Sequence, residues 1–120
     1  MVRETDFCGV RSGKDMDKIK KCGLHLEAAS MVSAPIISES PLSLECRVTE
    51  IKSLGTHDMF LAEILAVNAD GRYIDSKGKI NLQQSGLMAY SHGEYFSLGR
   101  KLGSFGYSVA KKSRKKKGKG

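Results

Sequence analysis

The sequence predicts a mostly β, antiparallel fold that contains one short helix. Residues 42–49 alternate apolar and polar side chains, and residues 59–67 are apolar at both alternating positions except at Glu63. Alternation is typical of a strand with one face on a core, whereas a strand that is apolar on both sides is expected to be covered on both. A polar break around Gly55 separates the two stretches, so they are predicted to form a long β-hairpin with His57 at its loop.

The positive charge of the chain is concentrated at its C-terminal end. The formal net charge is +7 over 120 residues, and Lys or Arg fills seven of the last ten positions. The sequence therefore predicts a neutral folded domain over residues 1–110 and a disordered basic tail over residues 111–120. Nucleic-acid binding through this tail is an alternative that such a lysine run leaves open, although a solvated chain end is the more common meaning.

Three features of the sequence indicate the cellular compartment of the protein. The first residues contain no apolar stretch of the kind found in secretory signals, and no apolar run approaches the roughly 20 residues that a membrane helix needs. Cys8, Cys22 and Cys46 are an odd number of cysteines, which argues against a disulfide framework. We therefore expect a cytoplasmic protein with free thiols and no membrane partner.

A helix is predicted near the N-terminus. Ser12 and Asp15 have the spacing of a capping box, so the helix is expected to begin at Ser12, to continue through Lys21 or Cys22, and to end at Gly23. The residues Arg11, Ser12, Lys14 and Lys18 would then surround a helix N-terminus, where free N–H groups attract anions. The simpler alternative is a well-capped surface helix without a ligand.

Several common sites are not supported. The glycines near residue 100 do not follow the spacing of a dinucleotide-binding loop, and the chain has no phosphate-binding P-loop motif. Cys8, Cys22 and His25 lack a C-x-x-C pair and a fourth ligand, so no metal site is predicted.

Residues 87–90 and 95–98 are expected to be short strands joined by a turn.

Three stretches of the sequence, residues 5–18, 54–63 and 90–99, resemble the flavin reductase-like family and its flavoredoxin-like branch. The resemblance runs from Thr5 to about Lys112 and implies a partial FMN-binding split barrel. Members of this family carry further residues before the position of Met1, and those residues hold the first barrel strands. The resemblance therefore implies that this chain is the C-terminal portion of such a protein.

The resemblance also implies a set of FMN-binding residues. Lys18 corresponds to a lysine near the flavin, His57 to a histidine at the hairpin, and Tyr90 to an aromatic residue on a late strand, with Phe96 as the rival for that last position. Arg11 and Ser12 are weaker candidates, chosen by position only. Two structural alternatives stay open, namely that His57 caps its loop and that Tyr90 belongs to the core.

The implied function is that of an FMN-dependent oxidoreductase or electron carrier. In this family a nicotinamide donor reduces the flavin, and the proteins commonly form homodimers with the flavin near the interface. Because the flavin carries the chemistry, no acid–base pair is required of the protein. One alternative is a non-catalytic fragment that needs a partner chain to complete the barrel, since missing strands leave an open sheet edge.

Overall fold

The structure is a computed structural model that describes residues 1–110, and the predicted basic tail at residues 111–120 lies outside the described part. Two helices come first, followed by three antiparallel strand pairs within the described residues. The helices are α1 (Val2–Val10) and α2 (Lys18–Cys22). The strands are β1 (Leu26–Glu27), β2 (Ile36–Ile37), β3 (Leu42–Ser53), β4 (Asp58–Ala69), β5 (Met88–Ser91) and β6 (Glu94–Ser97). The mostly β, antiparallel prediction is confirmed, and α1 is an additional helix that the sequence patterns did not predict.

The β3–β4 hairpin is the largest element and agrees with the prediction. Its register runs from Leu42 opposite Ala69 to Ser53 opposite Asp58. The register shifts after Glu45 and again after Val48, and such β-bulges strengthen the local twist of a strand pair. The N–H of Leu54 donates to the carbonyl oxygen of His57 at 2.9 Å and closes the loop at the tip.

The apolar side chains of this hairpin stay exposed in the described chain. The exposed fraction is 51% for Val48, 60% for Phe60 and 55% for Ile64, and no hydrophobic residue among residues 1–110 is buried. The expected cover over both faces of β4 is therefore not supplied by these residues. Large apolar side chains are instead exposed along both strands of the hairpin, which is typical of an interaction surface.

The second helix begins later than predicted. Asp17, not Ser12, is its N-cap, because the Asp17 carboxylate accepts a hydrogen bond from the N–H of Lys20 at 3.0 Å. The Ser12 hydroxyl accepts from the N–H of Lys14 at 3.2 Å and so stabilises a turn that precedes the helix. The predicted end at Gly23 is confirmed, since this residue has the left-handed conformation (φ 65°) that favours glycine.

A buried carboxylate joins the hairpin to the loop between β1 and β2. Glu45 on β3 is only 2% exposed and accepts hydrogen bonds from the N–H and hydroxyl of Ser30, the N–H of Met31 and the amide of Asn68. The Ser30 N–H, followed by the Asn68 amide, lowers the pKa of Glu45 to about 2. We call Glu45, Ser30, Met31 and Asn68 the Glu45 cluster.

The segment after the hairpin is more turn than strand. Asp70 accepts a hydrogen bond from the N–H of Arg72 and starts a 3₁₀ turn at Gly71–Tyr73. The short strand predicted at residues 73–75 is reduced to a single bridge between Ile74 and Ile80, because the turn uses the backbone groups that a longer strand would pair. The two predicted strands that follow are present as β5 and β6.

None of the helices in residues 1–110 is long and apolar enough to cross a membrane.

Candidate functional site

The junction between α1 and α2 holds the first candidate, Lys18. Its side chain turns back from the first residue of α2, and its Nζ donates to the carbonyl oxygen of Cys8 in the last turn of α1 at 2.6 Å. Carbonyl groups at a helix C-terminus carry partial negative charge, so an ammonium group is favoured there. This contact fixes the cation between the two helices, and its remaining N–H groups can donate to an anionic ligand.

Arg11 lies next to this junction and lines a groove. It directly follows α1, and its N–H donates to the carbonyl oxygen of Phe7 at 3.1 Å. The groove beside it has a volume of about 540 Å³, within the usual range for small-molecule sites. Its lining residues combine three cations, two carboxylates, two apolar side chains and a thiol: Arg3, Arg11, Lys21, Glu4, Asp6, Phe7, Val10 and Cys22. We call this feature the α1–α2 groove.

Ser12 does not stand at a helix N-terminus as predicted. Residues 12–16 form turns before α2, and the helix N-terminus is occupied by the Asp17 carboxylate, which accepts from Lys20. The predicted helix start at Ser12 is therefore wrong, and the residues around Ser12 do not surround a helix N-terminus. The cations of the α1–α2 groove remain as an anion-attracting group because they depend on side chains rather than on the helix end.

His57 lies in the hairpin loop, apart from the other candidates. Its Nδ1 is 2.9 Å from the hydroxyl oxygen of Thr56, and its carbonyl oxygen accepts from Leu54, so both contacts lie within the loop. Its loop lies roughly 36 Å along β3 from Leu42, at about 3.3 Å per residue. The start of α1 adjoins the hairpin at the Leu42 end, where Val2 and Leu42 line one groove. In this chain the structure does not bring His57 to Lys18.

Tyr90 occupies β5 directly opposite Tyr95 on β6. The two rings pack in a tilted arrangement with centroids 5.1 Å apart, a favourable geometry for aromatic pairs. Tyr90 is 68% exposed and its rival Phe96 is 50% exposed, so neither is a core residue in the described chain. The β5–β6 hairpin therefore presents an aromatic surface that contains the Tyr90 and Tyr95 rings.

Tyr95 connects this aromatic surface to α1. Its hydroxyl donates to the carboxylate of Asp6 at 3.2 Å, across 89 positions of sequence. Burial, and then the hydrogen bond to Asp6, raises the pKa of Tyr95. Asp6 also lines the α1–α2 groove, so Tyr90 and the groove belong to neighbouring surfaces. Sequence reasoning missed both Asp6 and Tyr95, because a contact at this separation has no local sequence signal.

A protein-family model matches most of the described chain. The family model described as "Flavin reductase like domain" matches residues 2–99, which include α1, α2, both long strands and both late strands. The chain belongs to this family. The predicted family resemblance is thereby confirmed.

Individual relatives give the same result. A protein of Archaeoglobus fulgidus is 35% identical over 97 residues, a match that covers 81% of this chain and 54% of that protein. The flavoredoxin from Methanosarcina acetivorans is 30% identical with a TM-score of 0.77, and the match covers 92% of this chain and 60% of that one. A flavin reductase with a split barrel domain from Shewanella frigidimarina is 26% identical with a TM-score of 0.69, covering 85% of this chain and 52% of that one.

Two facts follow from these matches. The predicted split-barrel fold class is confirmed, since the structure of this chain matches that of a protein with a split barrel domain. The chain spans between about half and three fifths of the length of these three proteins.

Proposed function

We propose that this chain binds FMN and takes part in flavin-dependent oxidoreduction or electron transfer. The observation that carries the proposal is the group of cations at the junction of α1 and α2 in a chain of the flavin reductase-like family. Arg3, Arg11 and Lys21 line one groove, and the ammonium of Lys18 is held beside it on Cys8. A phosphate group prefers such a set of charged N–H donors.

The residues of the α1–α2 groove fit the two chemical parts of FMN. Arg11, with Lys18 next to the groove, would hold the phosphate, since charge-assisted hydrogen bonds to an anion are the stronger class of hydrogen bond. Ser12, placed directly after Arg11, offers a hydroxyl of the right chemistry for the same group. Phe7 in the groove and Tyr90 on the neighbouring hairpin offer aromatic faces for a planar ring.

The protein would supply binding and orientation while the flavin supplies the redox chemistry. Bound FMN would supply this chemistry as a carrier of the two electrons that a nicotinamide donor gives and a later acceptor takes. Asp6 and Glu4 place negative charge at the same groove, which limits its affinity for anions and favours a ligand that also makes apolar contacts. A nicotinamide donor is part of the proposal because the resemblance to the family implies one.

A homodimer is the second part of the proposal. The exposed apolar side chains of β3 and β4, among them Leu44, Ile51 and Phe60, need a covering surface, and a second copy offers an identical one. In such a dimer His57 would serve the partner's flavin site, because its own chain places it far along the hairpin from Lys18. Such a dimer would bring Lys18 of one chain and His57 of the other chain to the same site.

A titration with two flavins tests the binding proposal. We expect FMN to bind saturably, measured by fluorescence quenching, and riboflavin, which lacks the phosphate, to bind at least tenfold more weakly. Raising the salt concentration should weaken FMN more than riboflavin, because salt screens the groove cations. Absence of saturable FMN quenching would contradict the proposal, and equal affinity for the two flavins would exclude a phosphate role for the groove.

Two further experiments test the proposed homodimer and the proposed nicotinamide donor. Light scattering after size-exclusion chromatography should give twice the mass of one chain, and Phe60→Ser should shift the protein toward the monomer. A monomer at micromolar concentration in the unchanged protein would contradict the dimer.

Anaerobic addition of NADH or NADPH to the FMN complex should bleach the flavin absorbance, and an unchanged spectrum with both donors would exclude a nicotinamide donor.

A further inference from the structure

Two cysteine thiols lie in contact where α1 meets α2. The sulfur atoms of Cys8 and Cys22 are 3.9 Å apart, and both residues are half-buried. Cys8 belongs to the last turn of α1 and Cys22 is the final residue of α2. The hydrogen bond from Lys18 to the carbonyl oxygen of Cys8 ties the two helices together beside the pair. The third cysteine, Cys46, is exposed on β3.

We propose that Cys8 and Cys22 form a reversible intramolecular disulfide that links α1 to α2 under oxidising conditions. A disulfide needs a sulfur–sulfur distance of about 2.05 Å, so the two sulfur atoms must approach by roughly 2 Å. Rotation about the side-chain torsions of the two cysteines is the movement that the proposal requires. The proposal does not depend on flavin binding.

The oxidant is a low-molecular-weight disulfide, for which oxidised glutathione is the probe. One protein thiol loses its proton, and the thiolate attacks a glutathione sulfur, which releases one glutathione thiolate and leaves a mixed disulfide. The second protein thiolate then attacks the protein sulfur of that mixed disulfide and releases the second glutathione thiolate. Two protein thiols are thus oxidised to one disulfide while one glutathione disulfide is reduced to two thiols.

The surroundings of the pair determine its pH dependence. Burial, followed by the hydrogen bond and charge of Cys8, raises the pKa of Cys22. Glu4 raises it further, whereas Arg3 opposes this effect. Because the thiolate is the attacking form, disulfide formation should become faster as the pH rises above neutral. The closed disulfide would hold the α1–α2 groove in one arrangement.

The test uses the full chain with Cys46→Ser, because trypsin leaves Cys22 and Cys46 on one peptide that ends at Arg47. The reduced protein is incubated with oxidised glutathione, the reaction is quenched with acid, and the products are analysed by mass spectrometry. We expect a monomer lighter by two hydrogen atoms, and a tryptic map that joins the peptide of Cys8 to the peptide of Cys22. Reduction with dithiothreitol should restore both thiols.

A comparison with the denatured chain separates native geometry from mere chain connectivity. In glutathione redox buffers, the equilibrium constant for the disulfide should be at least tenfold larger for the native protein than for the same protein in urea. Equal constants, or a smaller native value, would show that the fold does not favour the bond and would overturn the proposal. Glutathione adducts or disulfide-linked dimers as the main products would overturn it too.

Single-cysteine variants complete the design. In the Cys46→Ser background, Cys8→Ser and Cys22→Ser should each accept one glutathione and form no intramolecular bond. In the unchanged chain, Cys46 should take up glutathione while Cys8 and Cys22 pair. The unchanged chain is mapped after digestion with trypsin and glutamyl endopeptidase together, because cleavage at Glu27 and Glu39 separates Cys22 from Cys46. A map that instead joins Cys46 to either of the other cysteines would contradict the assignment of the pair.

Discussion

The amide nitrogen of Asn68 on β4 donates to the carboxylate of Glu45 on β3 at 2.6 Å, across 23 positions of sequence. The same carboxylate accepts three further hydrogen bonds from Ser30 and Met31, which belong to the loop between β1 and β2. Glu45 is the only buried residue among residues 1–110. In a chain whose apolar side chains stay exposed, this polar contact holds the loop on the hairpin.

Replacement of Glu45 by Gln is expected to destabilise this junction. One amide oxygen can still accept from Ser30 and Asn68, but the new NH₂ group would face the N–H of Met31, which then loses its acceptor. A buried donor without a partner is among the larger causes of mutational destabilisation. The thermal midpoint should fall by several degrees, as followed by circular dichroism.

Glu63→Gln is the matched control for this change. Glu63 pairs with Arg47 at 2.7 Å on the outside of the same hairpin, and both side chains are more than half exposed. An exposed ion pair contributes little to stability. The control should therefore leave the midpoint almost unchanged, and equal losses in the two variants would show that the Glu45 cluster has no special role.

The Glu45 cluster also predicts how stability depends on pH. The pKa of Glu45 is lowered from 4.5 to about 2 by the hydrogen bonds that it accepts, so the folded state prefers the ionised carboxylate. Its contribution is complete above the unfolded value and is lost as the pH falls from about 4.5 toward about 2. The difference in urea midpoint between the unchanged chain and Glu45→Gln should thus be smaller at about pH 3 than at about pH 6. A constant difference would contradict this origin.

The start of α2 supplies a third prediction. Asp17→Ala removes the side chain that accepts from Lys20 and should lower the free energy of unfolding by about 1 kcal/mol. Ser12→Ala removes only a hydrogen bond within an exposed turn and should change it much less. Urea denaturation of the two variants measures both changes in the free energy of unfolding. A larger loss for Ser12→Ala would indicate that the helix begins at Ser12 instead of Asp17.

These residues show which parts of the fold can be predicted from sequence. The long hairpin and the helix end at Gly23 follow from periodic patterns and from backbone preferences, both of which are local. The choice between Ser12 and Asp17 as N-cap is not local, since both residue types cap helices well. Helix α1 begins at Val2, and its N-cap residue Met1 makes no side-chain capping hydrogen bond, so the start of this helix has no sequence signal.

Only part of the candidate site could be predicted from the sequence. The structure places Lys18 and Arg11, two of the residues predicted to bind FMN, near the junction of α1 and α2. The prediction gave no distance between Lys18 and His57. The bond from Tyr95 to Asp6 and the contact of Cys8 with Cys22 depend on tertiary packing. Periodicity and spacing cannot predict such contacts, because they describe each segment by itself.

The last prediction concerns Lys18 and separates its charge from its structural contact. Lys18→Ala removes both the ammonium charge and the hydrogen bond to Cys8, whereas Lys18→Gln removes the charge and keeps an N–H donor on a side chain that is one atom shorter. If the charge holds the phosphate of FMN, both variants should weaken FMN by roughly 1–3 kcal/mol, which is about 5-fold to 150-fold in dissociation constant. Riboflavin, which has no phosphate, should bind the variants and the unchanged chain equally.

Lys77→Ala is the control for Lys18, because Lys77 lies in the turn between Asp75 and Lys79 and its loss changes the net charge equally. FMN affinity should be unaffected by this control, as measured by fluorescence quenching at constant ionic strength. An equal loss for Lys77→Ala would indicate a general effect of net charge. Weakening by Lys18→Ala without weakening by Lys18→Gln would instead assign Lys18 the structural role of joining α2 to α1, and the phosphate would then depend on Arg11.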